Sequence, residues 1–498
     1  MPSYVSDAGD DLFRDSRIRF TALVDFLGGD QAAGMTHGEL EEHLRAEGVS
    51  LLRQLFQDSL DLRAVREPRL YEVVDADGFG RGSAAGGRER GLITVFGPVV
   101  VARLAYRQPG CADLHPVDGQ LNLPTESHSH GLRRLAALEA VRGSYEAATA
   151  AIFRATGVGL GKRQVEALAA RAAVDIDVFY TAHAPDPAPE SDVLVLSFDG
   201  KGVVMRPQGL RPATAKAAGA TKLAARLSKG EKSHRKRMAE VAGVYDLTPV
   251  PRTAADILPE QAGPGARRAP KAVGKWLHAS LTDDTAAVIA AGFAEADRRD
   301  PKRARSWIAL VDGNNHQIER IRAETRRRGV TVPIIIDFIH ILEYVWKAAW
   351  CFFPEGDPAA EAWVRDQARQ ILAGRAGIVA AAIRRKATYH GLDPGKRKNA
   401  DTCANYLLAK KKHLNYPTAL ASGWPIATGV IEGACRHLVK DRMDITGARW
   451  GLPGAEAILK LRALISNGDF DQYWDWHLTQ EHQRNHTSRY LNGEIPAR

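Results

Sequence analysis

The chain has 498 residues, of which 45% are hydrophobic and 26% are charged, the mix of an ordinary globular protein. Lysine and arginine (68) outnumber aspartate and glutamate (59), so the formal net charge is +9, which favours a polyanionic partner without identifying one. The four cysteines, Cys111, Cys351, Cys403 and Cys435, lie far apart. Their spacing argues against a zinc knuckle or a disulfide framework and favours a reducing, intracellular compartment.

Targeting signals are not evident in the sequence. No stretch reaches the roughly 20 apolar residues that a membrane helix needs. Residues 1–7 lack the basic-then-apolar order of a signal peptide. We therefore expect neither secretion nor membrane insertion, and at roughly 150 residues per domain the length predicts about three domains.

The N-terminal region is predicted to be mainly helical, because leucines recur at helical spacing between residues 9 and 66. The glycine-rich segment 78–87 superficially matches the start of a dinucleotide fingerprint. No convincing helix opens directly after it, so we predict a flexible loop there. The runs Leu92–Phe96 and Val99–Tyr106 predict two short strands with a turn at Gly97-Pro98.

Two short helices joined by a glycine turn are predicted between residues 144 and 173, with Ser144 as the first N-cap. This is the pattern of a helix-turn-helix. Lys162 and Arg163 begin the second helix, where they would meet phosphates or bases. A plain helical hairpin in an alanine-rich bundle is the alternative. Three prolines between residues 185 and 189 then indicate a linker.

Beyond the linker, strand-like and helical segments alternate, which predicts a mixed sheet covered by helices. Residues 358–415 are predicted to be helical throughout, as an insertion, and residues 425–466 as one or two helices. The strands are predicted at residues 193–198, 202–205, 239–245, 307–311 and 332–336, with helices at about 284–298, at 316–328 and from 338.

Two acidic residues each end a strand-like run and precede a glycine. Asp199 follows Val193–Phe198, and Asp312 follows Trp307–Val311. Carboxylates that are fixed by a sheet yet reachable by ligand are typical of two-metal phosphoryl-transfer sites. A turn or cap role is the alternative for each residue taken alone.

Further acids follow along the chain. Glu432 lies early on a predicted helix between small residues, with Arg436 and Lys440 one and two turns further on; an intrahelical Glu–Arg pair is the alternative. Asp337 ends another strand-like run, and His340 shares its helix face. A metal site is one interpretation of this pair, but the residues themselves favour an N-capping aspartate with a packed histidine.

The order Asp199, Asp312, Asp337-x-x-His340, Glu432 resembles the layout of Mutator-like DDE transposases and, more narrowly, of ISKra-type bacterial insertion-sequence transposases. The resemblance covers roughly residues 90–470. The strings that carry it are LSFDGKG (196–202), VDG (311–313), IDFIH (336–340), GVIEG (429–433), KDRM (440–443) and TGARW (446–450).

The resemblance implies a ribonuclease H-like α/β core, a mixed sheet flanked by helices and interrupted by an all-helical insertion before the glutamate. It implies that Asp199, Asp312 and Glu432 are the catalytic residues and hold two Mg²⁺ or Mn²⁺ ions. Members of the family often carry a C-x-x-C pair after the second strand of the N-terminal pair. Here only Cys111 is present, which argues against zinc binding in that region.

The activity that the resemblance implies is that of a DNA transposase, which cleaves and transfers the strands of an insertion sequence. Its expected partners are terminal inverted repeats, target DNA and further copies of itself, as a homodimer or larger assembly. Its expected location is the bacterial cytoplasm, at the nucleoid. A ribonuclease H-like nuclease or resolvase without strand transfer, and an inactive DNA-binding regulator derived from a transposase, remain alternatives.

Basic residues are concentrated between positions 222 and 237. This segment has seven basic residues and one acidic residue, a net charge of 7 − 1 = +6. Such a cluster would bind phosphates without regard to sequence; a solvated loop is the alternative. Further on, Arg449 precedes Trp450, whose indole would stack on an unpaired base or else belong to the core. The seven basic residues are Lys222, Arg226, Lys229, Lys232, Arg235, Lys236 and Arg237.

Together these patterns predict six regions. The expected regions are an N-terminal helical region (1–90), a strand pair with a helix-turn-helix-like DNA-binding region (91–185), the first part of the core (191–350), the all-helical insertion (351–420), the core helix with the catalytic glutamate (421–470) and a C-terminal tail (471–498).

Overall fold

The structure is a computed structural model that describes residues 12–183, 185–219, 235–259, 267–445 and 447–497. The chain divides into two compact units, one from Met1–Thr181 with Phe470–Arg498 and the other from Ala182–Asp469. Among the described residues, no helix has the length and apolar character that crossing a membrane requires.

The first unit begins with helices and continues with two antiparallel strand pairs. Its strands are β1 (Val73–Val74), β2 (Gly80–Arg81), β3 (Ser83–Thr94) and β4 (Gly97–Arg107). Its helices up to the linker are α1 (Arg14–Leu27), α2 (Asp30–Ala33), α3 (His37–Val65), α4 (Pro116–Gln120), α5 (His130–Arg142), α6 (Tyr145–Thr156), α7 (Lys162–Ala172) and α8 (Ile176–Ala182).

Local capping explains where several of these helices start. At α3, the Thr36 side chain accepts from the Glu39 N–H while the Glu39 carboxylate accepts from the Thr36 N–H, a capping box. At α6, Ser144 is the N-cap, as predicted, and accepts from the Ala147 N–H at 3.1 Å. Left-handed Gly157 ends α6.

The prediction of a loop at residues 78–87 was wrong, because β2 and the start of β3 occupy most of it. The β3–β4 register shifts between Ala85 and Arg88, so the glycines form an irregularity within a strand pair. The turn lies at residues 95–96, since Thr94 pairs with Gly97. Gly97-Pro98 therefore begins β4 and does not form the turn.

The second unit contains a five-stranded mixed sheet in the order β7-β6-β5-β8-β9. Strand β6 is antiparallel to its neighbours β5 and β7, whereas β5, β8 and β9 are parallel. The predicted α/β character is thus confirmed. The strands are β5 (Val193–Val204), β6 (Lys236–Leu247), β7 (Val273–Ser280), β8 (Trp307–Val311) and β9 (Ile334–Ile336).

Helices flank this sheet. Between α18 and α19, residues Cys435–Lys440 form a π-helix. The helices are α9 (Pro212–Gly219), α10 (Ala254–Ile257), α11 (Thr285–Arg299), α12 (Asn315–Arg328), α13 (Phe338–Ala349), α14 (Pro358–Leu372), α15 (Ala376–Tyr389), α16 (Lys398–Lys410), α17 (Tyr416–Ala421), α18 (Gly429–Ala434), α19 (Asp441–Met443) and α20 (Leu452–Asn467). The last helix, α21 (Phe470–Asn485), belongs to the first unit, where a tail was expected.

The two faces of the sheet carry different helices. On one face, α11 approaches so closely that a Cβ at Gly292 would lie 2.8 Å from the Phe198 ring. On the other, a Cβ at Gly243 would lie 3.6 Å from Cδ1 of Ile431, in α18. Because side chains alternate along a strand and Phe198 faces α11, Asp199 faces α18.

Candidate active site

Asp199 and Asp312 lie side by side on neighbouring parallel strands. Phe198 pairs with Val311, the last residue of β8, so each aspartate follows one member of a pair, on strands about 4.8 Å apart. The prediction that Asp199 ends its strand was wrong, because β5 continues to Val204 against β6. It lies instead just beyond the end of the β5–β8 pairing.

Asp199 is half-buried, and its carboxylate has two nearby donors. The Gly200 N–H donates to its Oδ1 at 2.7 Å, and the Cys435 thiol also hydrogen-bonds to it. Burial raises the pKa of Asp199, the two hydrogen bonds lower it, and the negative charge of Asp312 raises it further. The net shift is upward, which marks a carboxylate that a nearby cation would stabilise.

The Asp312 turn is held by its own backbone and by the helical insertion. The Asn314 N–H donates to Oδ1 of Asp312 at 2.8 Å, and the Asn314 side chain caps α12. From α16, the Tyr406 hydroxyl donates to the Asp312 carbonyl oxygen at 2.8 Å. Gly313, between Asp312 and Asn314, has φ +97°, and a Cβ at this position would collide with the Tyr406 hydroxyl.

Asp337 and Glu432 form a second acidic pair around one hydroxyl. Asp337 is 1% exposed and caps α13, accepting from the Ile339 N–H at 2.7 Å, which confirms the N-cap interpretation. Its other oxygen accepts from the Thr428 hydroxyl, which lies 3.0 Å from Oε1 of Glu432. Desolvation raises the pKa of Glu432, Thr428 lowers it, and the charges of Asp337 and Asp199 raise it further.

His340 packs as predicted. Its ring makes edge contacts with Tyr344 and Tyr406 at centroid distances of 5.4 and 6.1 Å. Its Nδ1 lies 3.9 Å from the Glu343 carboxylate. These contacts place His340 among the aromatic side chains that join α13 to α16.

The four acids therefore lie as two pairs on one side of the sheet. Asp199 is paired with Asp312 and Asp337 with Glu432, and the charge of Asp199 acts on Glu432. Across the described residues, no group of three or more His, Cys, Asp or Glu side chains is arranged to hold a metal ion. The Asp199–Asp312 pair still fits Mg²⁺, which uses one or two protein carboxylates and completes its shell with water and substrate phosphate.

Sequence reasoning missed several residues that contact these acids. Thr428 and Cys435 lie four residues before and three after Glu432, so helical spacing could have identified them. Tyr406 and Lys410 had no comparable signal, because they come from the insertion. Lys410 is 6% exposed and hydrogen-bonds to Asn315, at the start of α12.

Four of the predicted DNA-binding residues, Lys222, Arg226, Lys229 and Lys232, lie outside the described residues. Arg235 is half-buried and Lys236 is exposed. Arg237 donates to the carbonyl oxygens of Leu281 at 2.6 Å and Gly209 at 3.1 Å. Its guanidinium thus braces neighbouring loops.

The remaining predicted DNA contacts differ in exposure. Lys162 and Arg163 are exposed at the start of α7, and Lys162 pairs with Glu146 of α6 at 2.9 Å. Arg436, Lys440 and Arg449 are also exposed.

Trp450 is 5% exposed, which favours the core alternative over base stacking. Its indole N–H donates to the Met443 carbonyl oxygen at 3.0 Å. The Arg442 guanidinium lies 4.7 Å from the ring centroid. The ring is thus fixed by its neighbours on the chain.

No protein-family model matches the chain. A search of the curated proteins returns no significant match.

Proposed function

We propose that this protein is a DDE-type DNA transposase that performs metal-dependent cleavage and strand transfer of an insertion sequence. One observation carries the proposal. Asp199 and Asp312 follow paired residues on adjacent parallel strands, while Asp337 follows the next strand and Glu432 approaches from a helix on the same face.

The sheet supports a ribonuclease H-like core for this activity. In chain order its strands are arranged 3-2-1-4-5, and only the second is antiparallel, so the sheet is mixed, as the resemblance implies. Helices α14–α17 lie in sequence between β9 and the helix of Glu432. This agrees with the insertion that the resemblance implies.

Asp199, Asp312 and Glu432 would hold two Mg²⁺ or Mn²⁺ ions. Such ions, when bound, lower the pKa of bound water and stabilise a leaving oxygen. The sheet fixes the two aspartates, and the exposed Glu432 is reachable from solvent. Thr428 orients Glu432 relative to Asp337.

DNA would approach this acidic site along exposed basic residues. Lys201 is exposed beside Asp199, and its charge lowers the pKa of that carboxyl. Arg436 and Lys440 are exposed after Glu432. Binding of terminal inverted repeats and target DNA would neutralise these charges and weaken with salt. We place this activity in the bacterial cytoplasm, at the nucleoid.

The test uses a plasmid that carries the protein's own gene with its flanking DNA, incubated with the protein and Mg²⁺ or Mn²⁺. Asp199→Asn and Asp312→Asn should abolish strand cleavage and leave DNA binding nearly intact, because each change removes a charged ligand but keeps the shape. Asp366→Asn is the matched control, since Asp366 is exposed on α14. Wild-type cleavage by Asp199→Asn would refute the assignment.

A second plasmid in the same reaction separates the alternatives. Joined product supports a transposase. Metal-dependent cutting that never yields joined product indicates a nuclease or resolvase. Binding without cutting indicates an inactive regulator. Either of the last two outcomes overturns the proposal.

A further inference from the structure

Helices α1 and α3 form an antiparallel hairpin. In the contacts between the two helices, the residue numbers rise along α1 as they fall along α3. They are the hydrogen bond from Ser16 to Asp58, the 3.2 Å hydrogen bond from Arg19 to Ser50, and the stacked rings of Phe26 and His43 with centroids 4.0 Å apart.

The seam of this hairpin is polar. Ser16 is the only buried residue in the described α1, and Asp58 and Leu60 are the only ones in α3. Leu60 belongs to a cluster with residues of β3 and β4, not to the seam. A polar seam contributes little burial energy, so the hairpin needs other contacts to stabilise it.

Most of the exposed apolar side chains of the hairpin lie on one side, which no other described residue covers. Residues 20, 24 and 27 follow the i, i+4, i+7 spacing of one helix face, and residues 44, 51, 55 and 62 follow the corresponding spacing on α3. On each helix, the stripe is turned by about a quarter of a turn from the residues of the seam, in the same direction along the sequence. Because the two helices are antiparallel, this places both stripes on the same side of the hairpin. Its exposed members are Phe20 (58%), Val24 (49%), Leu27 (39%), Leu44 (38%) and Leu55 (39%), and Leu52 (47%), next to Leu51, extends it along one edge.

The opposite side of α3 is already occupied. The Gln57 amide exchanges two hydrogen bonds with the Val100 backbone of β4, at 2.9 and 2.8 Å. Leu60 packs against Leu92 and Val99. The strand pair therefore covers one side of α3, and the hairpin exposes Phe20 and several leucines on the other side.

We propose that this apolar face binds the same face of a second copy of the chain and forms a four-helix dimer interface. Its six most exposed side chains present on the order of 500 Å² of apolar surface, against about 800 Å² that each partner buries in a standard interface. A polar rim supplies the remainder. Face-to-face packing of two hairpins under a two-fold axis is a closed, isologous arrangement.

The charge distribution determines the relative direction of the two hairpins. The end with the loop, residues 20–47, has six acids and one base, a net 1 − 6 = −5. The other end, residues 14–19 and 48–66, has six bases and three acids, a net 6 − 3 = +3. An antiparallel dimer places each acidic end against a basic end, whereas a parallel dimer places like charges together.

The first test measures the mass of the full-length protein by sedimentation at micromolar concentration. The wild type should be at least a dimer. Leu52→Glu with Leu55→Glu should raise the dimer dissociation constant at least about 100-fold, because two carboxylates would be buried without partners. The matched control is Ile18→Glu, because Ile18 is 56% exposed on the other side of α1 and should dimerise as the wild type does.

Helix content measured by circular dichroism shows whether each variant is folded. A monomeric wild type would overturn the proposal. So would a folded Leu52→Glu, Leu55→Glu variant that dimerises as tightly as the wild type. Neither result depends on catalytic activity, so this test and that of the proposed function fail independently.

The second test concerns direction. Glu41→Lys with Glu42→Lys changes the acidic end from −5 to −5 + 4 = −1. An antiparallel dimer should then weaken several-fold at low salt and regain the wild-type affinity at high salt, where charges are screened. A dimer that tightens at low salt would contradict the antiparallel arrangement.

Discussion

At the scale of single residues, Thr428 has an uncommon position between two carboxyl groups. A hydroxyl has one hydrogen to donate, and Thr428 lies within hydrogen-bond reach of both Asp337 and Glu432. With both carboxyl groups ionised, the hydroxyl can donate to only one of them at a time. Desolvation and the charges of Asp337 and Asp199 raise the pKa of Glu432, while the Thr428 hydroxyl lowers it.

Thr428→Val tests this arrangement. The change leaves one oxygen of buried Asp337 without its donor, which should lower the free energy of unfolding by about 1–3 kcal/mol and reduce DNA cleavage. Thr428→Ser keeps the hydroxyl and should retain most of both. Urea unfolding and the cleavage rate are measured for both variants. A Thr428→Val variant as stable and as active as the wild type would show that the hydroxyl is not needed.

Asp199 and Asp312 could be identified from the sequence, because a carboxylate between a strand-like run and a glycine is a local pattern. Their partners could not. Cys435 reaches Asp199 only because α18 crosses the sheet above Gly243. This contact depends on the tertiary structure, which the local sequence does not show. The sequence also could not decide the environment of Trp450, since the same string suits a stacking or a buried indole.

At the scale of elements, helix α16 of the insertion supports the Asp312 turn. The Tyr406 hydroxyl bonds the Asp312 carbonyl oxygen, and its ring stacks on Tyr344 at 4.1 Å. Lys410, one turn further along, bonds Asn315 after the same turn. The insertion thus helps to set the position of a proposed metal ligand.

Tyr406→Phe should slow DNA cleavage roughly ten-fold, if the lost hydrogen bond contributes about 1.4 kcal/mol to the position of the turn. The expected loss is in the maximal rate, with DNA affinity unchanged. Tyr344→Phe serves as the control, because it keeps the stacked pair and the bond to Asp312. A Tyr406→Phe enzyme as fast as Tyr344→Phe would show that the turn does not need the insertion.

Elements with local end signals were predicted well, and elements defined by their partners were not. Caps at Ser144 and Asp337 correctly predicted the starts of α6 and α13. Strand β7 was missed because its sequence, VGKWLHAS, lacks a clean alternation of polar and apolar residues. The strand forms because it pairs with β6. The same partner extends β5 to Val204 through two glycines, where the sequence suggested a break.

At the scale of the whole molecule, the first unit depends on a buried ionic cluster between distant parts of the chain. Arg133 is 0% exposed and lies 2.7 Å from both Glu126 and Glu481. Nearby, Asp175 accepts from His477 at 2.7 Å and from Arg484 at 3.0 Å. Buried charges need such partners, since an unpaired one is strongly destabilising.

This cluster predicts acid sensitivity in the first unit. Burial alone would raise the pKa of Asp175, but the bonds from His477 and Arg484 outweigh it and lower the pKa to about 2. Because this lies below the unfolded value near 3.9, the stabilisation is present above about pH 4 and is lost as the pH falls towards 2.

Asp175→Asn should therefore cost about 2 kcal/mol of unfolding free energy at pH 6, and the difference from wild type should shrink as the pH approaches 2. The unfolding free energy is measured by hydrogen exchange of the α5 amides with increasing denaturant. Asp186→Asn is the control, because Asp186 is exposed. A difference that does not change with pH would contradict the ionic origin.

The pairing of Arg133 with Glu481 also constrains synthesis on the ribosome. The two residues are 348 positions apart, which at 5–20 residues per second takes about 20–70 s of translation. During that time the whole sheet-containing unit is made and can fold, while Arg133 has Glu126 but still lacks Glu481, its second counter-ion. The first unit therefore starts to be made before the sheet-containing unit and is completed after it.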